Sequence, residues 1–287
     1  MKRFQLPALV AITIAALALS TAAVAQSYPA KPLSFVVPFA PGSATDQLAR
    51  ALGQAVNAET GQAVIVDNKP GASGFIGAQL VAKAPPDGYT VFITTNTTHA
   101  ANEHLYKKLP YDPVKDFAPV TGLAKGAQIM VVAANKPYKS VADFIAAAKK
   151  DPGKLSFGSG SSSSRIAGEL LQQMAEVQLL HVPYKSNPLA VTDLLGGQID
   201  MMITDMATGL PQVKAGKLRA LGVSTLKRSP LAPEVPTISE AGVKGYEMSF
   251  WFAAYLPAKT PQAVVMRLQE LLVHAVAGAN AKNLFES

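Results

Sequence analysis

Residues 38–50 read PFAPGSATDQLAR. A β-rich apolar run at 33–39 leads into this stretch, Pro41-Gly42 turns the chain, and a helical pattern follows over 45–56. A strand that ends in a glycine turn and enters a helix leaves unpaired N–H groups at the positive helix end, a ready place for an anion. Two further turns follow: PGASGFIG at 70–77 and FGSGSSSSRIAGELL at 157–171. Several such turns without an evident catalytic group predict a protein that grips a small anion rather than transforms it. Asp46 falls in the first turn of its helix, where interaction with the helix dipole accounts for it better than ligand contact.

Outward from that stretch the chain alternates strand and helix signals. Strands are expected at 63–67 and 89–94, with a helix at 75–84 stopped by Pro85-Pro86-Asp87-Gly88. An irregular stretch at 105–119 carries three prolines and two tyrosines. A strand at 128–134, a helix at 141–150 capped by Ser140, and short strands at 155–158, 179–184, 200–204 and 218–224 form a second set. A proline-rich connection at 229–236, a strand at 250–256 and a helix at 261–276 close the chain. This rhythm predicts an α/β fold with helices on both sheet faces and ligands outside the carboxyl ends of the strands. The reading divides the mature chain into two lobes, 26–124 with 226–287 and an inserted 125–225, with crossovers near 122–126 and 225–228. No internal repeat is found.

Lys2 and Arg3 precede an apolar run at 6–19 and a small-residue end at Ala23-Val24-Ala25. This is the pattern of an export leader over 1–25, cleaved after Ala25, and the expected compartment is the periplasm. With no cysteine there is neither disulfide nor thiol lipid anchor. Without the leader, 24 basic residues face 19 acidic ones, a net charge of +5. No basic run interleaves with aromatics, so nucleic acid is not an expected partner.

A serine nucleophile could be drawn from Ser159 and Ser161 to Ser164 with His181 and Asp200, but no G-x-S-x-G elbow is present. His99, His104, His181 and His274 show no metal-binding spacing. Gly71, Gly74 and Gly77 are not the dinucleotide fingerprint, and no Walker lysine follows a glycine turn. No cofactor is expected.

The chain resembles the Bug family, the extracytoplasmic solute-binding receptors of tripartite tricarboxylate transporters. The resemblance is carried in order by PFAPGSATDQLAR, DNKPGASGFIGAQLVAKAPPDGYT (67–90), HVPYKSNPLAVTDLLGGQID (181–200), VKAGKLRALGVST (213–225), VPTISEAG (235–242) and WFAAYLPAKTP (251–261). It implies a two-lobed type II periplasmic binding-protein fold with a ligand cleft between the lobes. It also implies a monomer that passes a small organic mono- or dicarboxylate to integral membrane transporter subunits.

Carried onto this chain, the family's carboxylate grip falls on Pro41, Gly42, Ser43 and Ala44, and on Gly71, Ala72 and Ser73. Asn96, Thr97 and Thr98 complete the pocket floor, and the far lobe contributes Ser159, Gly160, Ser161, Ser163, Ser164 and Arg165. Four positions depart from the family pattern: Ser43 and Ser186 stand for glycines, Arg165 for a histidine, and Thr204 for an aspartate, with Asp205 next to it. Arg165 is expected to read a second anionic group, and Thr204 and Asp205 a hydroxyl or amino substituent. The resemblance also implies that Asn283 to Ser287 end short of the family's final elements. The alternatives are an exported serine hydrolase and a receptor kept for sensing rather than uptake.

Overall fold

The computed structural model describes residues 28–278; the leader, its cleavage site and the closing residues 279–287 lie outside them. Strand β1 (Leu33–Val37) runs parallel to β2 (Val64–Asn68) and β3 (Thr90–Thr95). Helix α1 (Ala44–Thr60) connects the first two, and α2 (Phe75–Ala82) leads to the third. After β3 a π-helical turn (Thr97–Ala101) runs into the short helix α3 (Asn102–Leu105). The long strand β4 (Phe117–Ala133) follows.

The second lobe continues as α4 (Val141–Lys150), β5 (Ser156–Ser159), α5 (Ser162–Ala175), β6 (Leu180–Pro183), α6 (Asn187–Leu195), β7 (Met201–Asp205), α7 (Met206–Lys214) and β8 (Leu218–Val223). Strand β9 (Ser249–Pro257) and helix α8 (Gln262–Ala277) return to the first lobe. Strand β9 lies antiparallel between β3 and β4, and β5 lies parallel between β6 and β7. The α/β class and the two-lobed plan expected from the strand-helix rhythm are those of the structure.

The stretch at 122–126, read as a crossover, lies inside β4, a single strand of 17 residues that itself passes from one lobe to the other. Its first part pairs with β9 as far as Ala127, and from Gln128 onward it pairs with β7. Register shifts at Pro119/Thr121 and Gly122/Ala124 let the strand carry a proline and bend between the lobes. Residues 229–246, placed with the first lobe on sequence grounds, pack instead on the second. Ala232, Val235, Ile238, Val243 and Tyr246 are buried in its cores because Val223 and Ser224 hold this segment by backbone bonds to Pro236, Ile238 and Met248.

Apolar residues at strand and helix periods place the cores. Phe35, Ile93, Leu48, Leu52 and Leu268 fill the first lobe between β1, β3, α1 and α8. Phe144, Phe157, Leu171 and Tyr246 cover one face of the second sheet. Ile129, Val191, Leu194 and Leu210 cover the other.

His99 packs at the back of the first lobe. Its ring stacks on Tyr255 at 3.8 Å and meets Phe117 edge-on at 4.8 Å. Nδ1 lies 2.9 Å from Thr98 Oγ1, and Nε2 is buried without a partner. Burial pushes its pKa from 6.5 down to about 3. The unfolded chain therefore takes up this proton first as pH falls. Stability is intact above the unfolded value and is lost between it and the folded value, by ~2 kcal/mol from pH 7 to pH 5. Urea melts at both pH values should show a smaller acid loss for His99→Phe, by about that amount. Equal losses would mean that His99 keeps an ordinary pKa.

Candidate functional site: a two-chambered cleft

The cleft is built where the strand-to-helix turns of both lobes meet. At the first turn Ser43 caps α1, its Oγ accepting from Asp46 N at 3.3 Å, while Asp46 Oδ2 accepts from Gly42 N at 2.9 Å. This reciprocal capping closes the turn on itself. Arg50 and Asn68 also bind Asp46, at 2.9 and 3.0 Å. Burial alone would raise the Asp46 pKa; Arg50, the Gly42 N–H and Asn68 overcome it and hold the carboxyl below its usual range. Asp46 is thus a brace for the turn. The N–H groups of Ala44 and Thr45, next in the helix, have no acceptor among the described residues.

The glycine turn is not an ordinary helix entry. Gly71, Ala72, Ser73 and Gly74 all have positive φ, at 118°, 47°, 51° and 84°. Left-handed backbone costs a non-glycine residue roughly 1–2 kcal/mol, so Ala72 and Ser73 are held there by their surroundings. Ser73 Oγ shares a 2.6 Å hydrogen bond with Tyr106 Oη, and Ser73 O accepts from Asn102 Nδ2 at 3.0 Å.

In the serine turn Ser161 caps α5 and accepts from Ser164 N at 3.2 Å. Its neighbours cross the cleft. Ser162 Oγ donates to Asn102 Oδ1 at 2.6 Å, and Ser163 Oγ donates to Asn96 Oδ1 at 2.8 Å. Thr97 Oγ1 lies 3.0 Å from Ser163 Oγ.

Two chambers adjoin at Phe39, Gly160 and Ser161. The inner one is walled by Phe39, Phe250 and Phe252 and by Ser43, Ala44, Thr45, Gln128, Asn187 and Asp205. The outer one sets Ala72, Ser73 and Tyr106 against Arg165, His181 and Lys185.

Of the residues expected at the site, Ser43, Ala44, Ala72, Ser73, Ser159, Gly160, Ser161, Ser163, Arg165 and Asp205 line these chambers. Others do not. Pro41 and Gly42 are exposed at the rim, and the Gly42 N–H is committed to Asp46. Gly71 lies outside both linings. Asn96 and Thr97 bridge the lobes, and Thr98 bonds Thr94 and His99. Ser164 Oγ donates to Ile203 O in the core. Strand alternation turns Thr204 away from Asp205 and under α7, where it faces Gly209. Phe39, Gln128, Lys185, Asn187 and the β9 phenylalanines were not foreseen. Lys185 and Asn187 stand within the HVPYKSNPLA motif, whereas no local signal marks Gln128.

The serine-histidine-acid reading does not assemble. Ser159 Oγ and His181 Nε2 share a 2.7 Å hydrogen bond, but Asp200 binds Lys136 Nζ at 2.9 Å and Ser156 N at 2.9 Å instead. Burial, and then the Arg165 cation, hold the His181 pKa below its ordinary value, with Glu169 pulling the other way. Among the described residues no acidic or histidine cluster could hold a metal, and no helix is long and apolar enough to cross a membrane.

A family model described as the tripartite tricarboxylate transporter family receptor matches residues 48–286. The chain belongs to this receptor family. The UPF0065 protein from the tcbD-tcbE intergenic region of Pseudomonas sp. strain P51 is 41% identical over 255 residues, 88% of this chain and 76% of its own length. An R. palustris protein solved with adipate is 36% identical with a TM-score of 0.87, over 89% of this chain and 86% of that one. The periplasmic binding protein BugD is 34% identical with a TM-score of 0.85, over 90% and 86%. The Bug resemblance carried by the motifs therefore holds, and the receptor is a solute-binding protein of a periplasmic family.

Gly160 sits at the junction of this receptor's two chambers. A Cβ there would lie 1.9 Å from Ser186 C and 2.1 Å from Asn187 N, both backbone atoms at the start of α6. A Cβ on Gly42 meets nothing within 4 Å, although its φ of 81° favours glycine. Gly42→Ala should therefore cost ~1–2 kcal/mol, the left-handed penalty alone. Gly160→Ala should cost ~3 kcal/mol or more, because main chain must move. Denaturant melts of the two variants compare them, and equal losses would contradict the close approach at Gly160.

Proposed function

We propose that this receptor captures a small organic carboxylate in the cleft and delivers it, as a single chain, to the membrane subunits of a tripartite transporter. We further propose that it is exported with a leader cleaved after Ala25. An intact mass of the periplasmic protein starting at Gln26 is then expected.

One observation carries the reading: anion-seeking groups from both lobes converge on one cleft. Lobe one offers the acceptor-free N–H groups of Ala44 and Thr45 at a helix N-terminus and the left-handed turn at Ala72 and Ser73. Lobe two offers Ser161, Arg165 and Lys185. Backbone N–H groups at a helix start favour any carboxylate, whereas a guanidinium selects for a further one. Arg165 is available for that task. Its Nε is buried without a hydrogen bond, and its ion pair with Glu169 is long, at 3.5 Å. The adipate bound by the R. palustris protein is a dicarboxylate, which suits a cleft with two such ends.

Arg165→Ala tests this division. Adipate affinity should fall about tenfold, the worth of one charge-assisted hydrogen bond, with a smaller loss for hexanoate. Calorimetry on both ligands reads the difference. Equal losses for the two would place the second carboxylate elsewhere.

A further inference from the structure

We propose that the inner chamber reads an ammonium group, so that the solute is an amino-substituted carboxylate; this rests on the reading of the cleft as a carboxylate site. The register of β4 on β7 sets Gln128 directly opposite Asp205. Directly opposed residues of neighbouring strands carry their side chains on one face, and here both line the inner chamber. Gln128 is 2% exposed and Asp205 is 7% exposed.

Asp205 is a buried carboxylate without a cation. Its Oδ1 accepts from Thr208 N and its Oδ2 from Asn187 Nδ2, both at 2.8 Å and both from neutral groups. No lysine, arginine or histidine lines the chamber among the described residues. Each carboxylate oxygen keeps a further lone pair. Gln128 Oε1, beside it, is buried with no hydrogen-bond partner. Two acceptors with spare capacity, buried and facing one cavity, call for a donor, and a buried carboxylate offset only by the N-terminal dipole of α7 favours a cationic one. The aromatic walls at Phe39 and Phe250 suit the same guest, since a cation is attracted to a ring face.

The opposite side of the chamber has the other polarity. Ala44 and Thr45 line it at the α1 N-terminus, with N–H groups free for a carboxylate. A donor side and an acceptor side in one small space match a zwitterion. An unsubstituted dicarboxylate leaves Asp205 and Gln128 unanswered, and a hydroxyl answers the hydrogen bonding but not the charge. Thr204, foreseen as a partner of Asp205 in this task, has no part in it, since its side chain lies under α7.

The test is calorimetric titration of the full mature chain with matched solutes: glutarate against glutamate, and succinate against aspartate and malate. The ammonium member of each set should bind at least tenfold more tightly than its unsubstituted partner, and aspartate more tightly than malate. In Asp205→Asn, which keeps an acceptor to cap α7, this preference should fall to about one. A purely structural role would lower all affinities together and leave the ratio intact. Gln128→Met, which removes the free acceptor without adding charge, should reduce the preference severalfold. Tighter or equal binding of the unsubstituted or hydroxyl solutes overturns the ammonium site while the carboxylate reading survives. Binding of none of the five overturns both.

Discussion

The hydrogen bonds from Ser162 and Ser163 to Asn102, Asn96 and Thr97 decide the shape of this receptor's cleft. They are the polar contacts by which the start of α5 rests on the far side, and all five residues are buried. Asn102 is the hub. Its Oδ1 takes the Ser162 hydroxyl, and its Nδ2 holds Ser73 O and Tyr111 Oη, at 3.0 and 3.1 Å. The serine turn of one lobe is thereby tied to the glycine turn of the other through a single side chain. Each neutral hydrogen bond contributes roughly 0.5–1.5 kcal/mol net. Three such bonds, with a longer one from Ser163 N to Thr97 Oγ1 at 3.4 Å, give a few kcal/mol, enough to set the relative position of the turns and too little to lock it. A ligand that touches both turns adds to the same small balance, which is how modest contacts can govern lobe closure.

The lobes are joined without a break in the sheets, through β4 and β9. A strand shared by two lobes keeps its backbone bonded on both sides of the bend. The change of partner falls between Ala127 and Gln128, where strands from the two lobes end against one another. Gln128 keeps a partner on each side there, Asp205 in register on β7 and Ser224 just past the end of β8. Gln128 and Asp205 are in the cleft because of where the sheets divide, and the carboxyl ends of β5 and β7 lie beside them for the same reason.

This topology also explains what was legible in the sequence. Helices and parallel strands were readable because their apolar periods, caps and glycine stops are local: Ser140 caps its helix at the expected place, and helices do open at the first glycine turn and the serine turn, capped by Ser43 and Ser161. The turns that line the cleft were readable for the same reason. The continuity of β4 was not, because Gly122, Gly126 and Pro119 signal a break where two register shifts absorb them. Nor were the inner-chamber residues. Phe250 and Gln128 enter it through pairings with Gly126 and Asp205, 124 and 77 residues away, and no spacing in the chain encodes that meeting. Thr204 shows the converse error. The motif pointed to the right strand end, but a period of two decides which of two adjacent residues faces the chamber, and Asp205 is the one that does.

The departures from the family pattern fall into two physical kinds. Ser43 departs in chemistry alone, since its φ of −66° is open to any residue and its hydroxyl caps α1. Ser186 stands in extended backbone at φ −163°, so no glycine is needed there, yet its Oγ is buried without a partner. Arg165 differs in kind, because it changes the charge of the outer chamber rather than its backbone. The cleft thus combines turns that offer main-chain N–H donors with a far wall whose charges differ from place to place. Cationic Arg165 and Lys185 stand at the outer end, and anionic Asp205 at the inner end. Selectivity in such a cleft comes from the far wall, since the donors of the first lobe are mostly main chain and cannot change with side-chain identity. On the reading proposed above, substitution at a few far-wall positions would change the solute without disturbing the turns of the first lobe.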